Sequence, residues 1–123
     1  MTVLRWILFL ILLSSLASID LSQEITKQTA FVFREIGPSK TSVLSGIMSD
    51  FVKAIRAKGN VQGYVFNYGS NAQIALRRKA LARGIPCCDQ IDPSRITFLN
   101  VGSANKLKTV FWIVPDGSEV PKP

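Results

Sequence analysis

Over Thr41–Lys58 the apolar residues Val43, Leu44, Ile47, Met48, Phe51, Val52 and Ile55 recur at intervals of three and four, with Ser45, Ser49, Asp50, Lys53 and Arg56 falling between them. This spacing draws one apolar stripe along a helix of about 3.6 residues per turn. A stripe of that kind needs a second apolar surface to cover it. The chain offers one on each side, where the period changes from helical to alternating. Residues 29–36 carry Phe31 and Phe33 two apart, and Val61–Tyr68 sets Val61, Gly63 and Val65 against Tyr64, Phe66 and Tyr68. Gly37, Pro38 and Ser39 separate the first of these strands from the helix. Ser39 or Thr41 can cap the helix start, and Gly59 with Asn60 can end it. Strand, helix and strand in succession predict a parallel pair joined by a right-handed crossover.

Beyond residue 68 the pattern repeats in shorter form. Gly69, Ser70 and Asn71 turn the chain into a second helix over residues 72–83, with Asn71 as the expected N-cap. Its stripe is thinner: Ile74, Ala75, Leu81 and Ala82 share one side, and Arg77, Arg78, Lys79 and Arg83 lie elsewhere. Gly84 and Pro86 close it. Asp92, Pro93 and Ser94 have turn chemistry and lead into a third strand over residues 95–101. Residues 108–114 read as a fourth, and the short connection between the two predicts an antiparallel hairpin. The expected fold is an α/β sandwich of the α+β kind, in the order β-α-β-α-β-β, with two helices on one face of a four-stranded mixed sheet.

The 123 residues allow one domain, and the first 17 stand apart from it. Arg5 precedes the apolar run from Trp6 to Leu13, and Ser14, Ser15, Leu16 and Ala17 supply the small residues of an exit. A basic start, a short apolar run and a small-residue exit make a secretory signal peptide with cleavage expected after Ala17. A retained anchor is the competing reading, but a bilayer core takes about 20 predominantly apolar residues. No Cys follows the cut to carry a lipid. Residues 18–28 read as a polar lead-in, 29–115 as the domain, and 116–123 as a polar C-terminal tail. The expected location is periplasmic or secreted, with membrane contact only transient, through the signal peptide.

The full chain has a formal charge of +7, and removal of residues 1–17 leaves 14 Lys and Arg against 8 Asp and Glu, or +6. The surplus favours anionic partners. Nucleic acid is set aside, because an exported compartment holds little and no recognition-module signature is present.

The chain contains no histidine. This removes Ser-His and Cys-His nucleophile pairs, the commonest general base and most zinc sites together. Asp50 belongs to the polar face of the first helix, Asp92 to its turn and Glu35 to the end of a strand, so none is placed for acid or base work. Neither an enzyme nor a cofactor is expected. Cys87 and Cys88 are adjacent and can form a strained vicinal disulfide, pair between molecules or remain thiols. With Asp89 alone beside them they lack the ligands for a metal site.

The run from Val61 to Val101 includes Gly63-Tyr64, Tyr68-Gly69, a basic helix and Asp92-Pro93-Ser94-Arg95-Ile96, and Trp112 to Pro115 follows. This series resembles the OmpA-like domain, a periplasmic module that grips peptidoglycan in many bacterial envelope proteins. It is nearer still to a group of secreted bacterial proteins of that type. The resemblance covers roughly residues 29–115 and implies a cell-envelope location. In the family, an Asp beyond the second strand and an Arg in the following helix clamp the charged end of a stem peptide. Here Arg78 aligns with that Arg, beside Arg77, while Ser70 aligns with the Asp, so a carboxylate has become a hydroxyl. The resemblance therefore implies a degenerate peptidoglycan site at Ser70, Arg77 and Arg78. The leading expectation is an exported, non-catalytic binding or scaffold module whose partner is a cell-wall polymer or an envelope protein. Two alternatives are a structural or assembly protein that meets a partner sheet through Tyr64, Tyr68 and Trp112, and a thiol-active factor using Cys87 and Cys88.

Overall fold

The computed structural model describes residues 29–85, 91–102 and 105–123. Residues 1–17 and 18–28, read above as signal peptide and lead-in, lie outside the described residues, as do Cys87 and Cys88. Among the described residues, no helix is long and apolar enough to cross a membrane.

The elements are β1 (Phe31–Ile36), α1 (Thr41–Lys58), β2 (Val61–Tyr68), α2 (Asn71–Ala82), a short 3-10 turn (Pro93–Arg95), β3 (Ile96–Asn100) and β4 (Lys108–Pro115). This is an α+β fold in the order β-α-β-α-β-β, with a four-stranded mixed sheet and two helices. The stripe of α1 is the main seam: Leu44, Ile47, Met48, Phe51, Val52 and Ile55 are buried, whereas Val43 is exposed. They pack with Val61 and Val65 of β2, Leu81 of α2, and Phe111 and Ile113 of β4. Phe51 is central, its ring 5.4 Å from that of Phe33 and 5.2 Å from that of Phe111. The alternation in β2 holds, for Val61, Gly63 and Val65 face the helices. A side chain at Gly63 would put its Cβ 2.5 Å from Ile55 Cδ1 and 2.9 Å from the Phe51 ring, so α1 sits this close only because nothing is there.

The strand order is β1-β4-β2-β3, which corrects two expectations. β1 and β2 run parallel, but they are not neighbours: β4 lies between them, antiparallel to both. β3 and β4 form no hairpin, because β3 pairs parallel to β2 on its other side. The parallel neighbours joined by a helix are therefore β2 and β3, through α2. Burial explains the order, since all of β4 but Lys108 and Trp112 is buried while β3 has no fully buried residue. A strand covered on both faces belongs inside a sheet, and a half-exposed one at its rim. With β2 between them, β3 and β4 stand two strand spacings apart, about 10 Å.

The helix ends also differ from expectation. α1 begins after Lys40 without a side-chain cap, so neither Ser39 nor Thr41 caps it; Gly59 does end it, donating its N–H to Ile55 O at 3.2 Å. α2 is capped by Ser70 and not by Asn71, which is already its first helical residue. The tail 116–123 is irregular and starts with a turn in which Asp116 N–H donates to Asn60 O at 3.0 Å.

Candidate functional site

α2 brings together the residues that the sequence marked. Ser70 and Gln73 form a reciprocal cap at its start: Gln73 N–H donates to Ser70 Oγ at 3.2 Å, and Ser70 N–H donates to Gln73 Oε1 at 3.0 Å. The Ser70 hydroxyl thus has a structural task. Arg78 stands eight residues on, about 12 Å farther along the helix axis.

Arg77 is not on the outer face. It is only 3% exposed, and the inward stripe reads Ile74, Arg77, Ala80 and Leu81, with Ala75 and Ala82 exposed instead. The expected placement of Arg77 away from the apolar side is corrected by the helix rotation that Ile74 and Leu81 impose. Its Nη1 donates to Thr109 Oγ1 at 2.9 Å and its Nη2 to Gly37 O at 2.7 Å. Thr109 Oγ1 in turn donates to Asn67 Oδ1 at 2.7 Å. Burial pushes the Arg77 pKa down from its ordinary value, yet a guanidinium remains charged at any ordinary pH. The chain of bonds ties α2 to β4, β2 and the turn after β1, and it directs Arg77 away from any surface ligand. The spacing of three and four through Ile74, Arg77 and Leu81 was the signal for this, hidden by the polarity of the middle residue.

Arg78 and Lys79 are exposed. The Arg78 guanidinium lies 5.4 Å from the centre of the Phe98 ring on β3. Ala75, Arg78, Lys79, Ala82 and Phe98 line a shallow groove of about 390 Å³ between α2 and β3. Two small alanines make the depression, the ring gives it an apolar wall, and the two cations rim it. Among the described residues that line it there is no carboxylate. Such a surface suits an anionic group with some apolar body. A larger open cleft of about 1180 Å³ lies at the far end of β4, walled by Trp112, Pro115 and the tail itself. It has no comparable cluster of one charge, with Asp116, Glu119 and Lys122 around it.

The other sequence landmarks serve the scaffold. Asp92 caps the 3-10 turn, accepting from Ser94 N–H at 3.0 Å and from Ser94 Oγ at 2.8 Å. The Ser94 amide above all, then its hydroxyl, and lastly Arg95 hold the Asp92 carboxyl below the usual carboxylate range. The Arg95 Nη2 donates to Ile55 O at 2.9 Å, Gly59 O at 2.7 Å and Val61 O at 3.2 Å, gathering carbonyls at the end of α1. Gln62 Nε2 donates to Ser94 O from β2. Asp92 to Ile96 is therefore a clasp between α1, β2 and β3. Glu35 makes an exposed ion pair with Lys108 at 3.7 Å. Tyr64, Tyr68 and Trp112 lie half-buried on the sheet face opposite the helices, with Lys108 Nζ 4.7 Å from the Tyr68 ring centre. Among the described residues, no three His, Cys, Asp or Glu side chains gather where they could hold a metal.

Compared with protein-family models, with curated proteins and with solved structures, the chain finds no match.

Proposed function

We propose that this chain is an exported, non-catalytic module of the cell envelope that binds an anionic partner through the face formed by α2 and β3. The observation that carries the reading is the groove beside Phe98, rimmed by Arg78 and Lys79, with no carboxylate among the described residues that line it. The segment 1–17 supports export, and the resemblance of residues 29–115 to OmpA-like domains supports the envelope. The specific clamp of that family is absent from this reading: Ser70 brings no charge and spends its hydroxyl on the helix cap, while Arg77 is committed inside. A contact that has lost one side of a desolvated charge pair forfeits about 2–5 kcal/mol. What remains is salt-sensitive attraction of a cationic face for an anionic surface.

Sedimentation with purified cell-wall sacculi tests the reading. The exported chain should pellet at low salt and stay in solution at physiological salt. A variant carrying Arg78→Ala and Lys79→Ala should lose more of the low-salt binding than one carrying Lys40→Ala and Lys53→Ala, which removes the same charge from α1 and the residue before it. Equal loss from both variants would show that only net charge acts. Salt-resistant pelleting that needs Arg78 would instead reveal a working peptidoglycan site without its acid.

A further inference from the structure

A sheet of four strands has two rims, and here they are built differently. β1 is guarded: Arg34 and Glu35 put both signs of charge in the strand, and its pairing with β4 shifts register between Val32 and Arg34. Charge and bulges are the usual means of keeping a foreign strand off an edge. β3 has neither. From Ile96 to Asn100 it carries no charge and no proline, and its pairing with β2 runs through five residues without a break. Its outer side has no strand partner among the described residues, and Leu99 is 38% exposed there.

The groove borders this same rim. Ile96 and Phe98 face the helices and pack against the core, so a strand laid beside β3 would point every second side chain toward α2. Those side chains would meet Arg78 and Lys79. We propose that β3 is a docking edge for an extended acidic segment of a partner protein, which adds as a fifth strand with alternate carboxylates set against Arg78 and Lys79. Main-chain hydrogen bonds to β3 supply affinity and the two cations supply the choice of partner. A second copy of this chain fits the edge poorly. Pairing β3 with β3 would bring two rims of positive charge together, in a protein that carries +7 as the full chain and +6 without residues 1–17. The inference deepens the function proposed above and depends on it for the cationic side of the contact alone.

The test uses two fluorescent eight-residue peptides and the exported chain. One peptide alternates glutamate with valine; the other alternates glutamate with proline, which keeps the charge and removes every second N–H. Anisotropy titrations at low salt should give at least about tenfold tighter binding of the valine peptide, reflecting the strand contact. Hydrogen exchange should slow at residues 96–100 when that peptide is bound. Arg78→Ala with Lys79→Ala, both exposed, should weaken both peptides. Equal affinities that fall together in the double variant would overturn the strand edge and leave the cationic face standing. Equal affinities that the double variant does not change would overturn both. Protection of residues 96–100 without peptide, with dimers by light scattering, would overturn the acidic partner in favour of self-pairing.

Discussion

At Arg77 a charge is 97% removed from solvent, and no carboxylate among the described residues pairs with it. Burying a charge is costly unless it is well hydrogen-bonded, and here two charge-assisted bonds to neutral oxygens offset the cost. The Thr109 hydroxyl relays one of them to Asn67, whose Nδ2 is buried without a partner among the described residues. Thr109→Val keeps the shape and deletes the relay, and leaving buried groups unpaired costs on the order of 1–3 kcal/mol. In an Arg77→Met background the same substitution should cost less, with a coupling above about 0.5 kcal/mol in a double-mutant cycle of urea midpoints. Strictly additive losses would mean that the hydroxyl does not link the two. Arg77 also marks where sequence reading failed. Its neighbours in the Arg-Arg-Lys run read as a solvated face, whereas Arg78 and Lys79 are exposed and Arg77 points inward, because the rotation of a helix is set by its largest apolar residues and polarity alone does not reveal it.

For the helices, the apolar period carried most of the information. Six of the seven stripe residues named in α1 are buried, and Val43 at its first turn is the one that is not. Phe51→Ala should cost about 3–5 kcal/mol, a cavity against Phe33 and Phe111 at the centre of the core. Asp50→Ala, one position away and exposed, should stay within about 0.5 kcal/mol. Equal urea midpoints for these two variants would mean that α1 presents another face. The strands were legible as segments, but their neighbours were not, since pairing depends on how buried each strand becomes and not on chain order. The cationic groove was half legible. The basic run stood in the sequence, while Phe98 joined it only through the placement of β3 beside α2.

For the whole molecule, the decisive feature is that β4, the last of the described strands in sequence, is interior in the sheet. It bonds β1 on one side and β2 on the other, so among the described residues β1 has no strand partner but β4. Removing residues 108–123 should therefore abolish cooperative unfolding by circular dichroism, whereas removing residues 121–123, beyond the last strand, should leave a cooperative transition. A truncated chain that still unfolded sharply would show that β1, α1 and β2 hold together unaided. During synthesis the helices and first three strands leave the ribosome with a slot open between β1 and β2. That slot waits for the closing piece. Until it arrives, β1 lacks the strand that joins it to β2, so the core is unfinished and the chain stays threadable, as the proposed export requires.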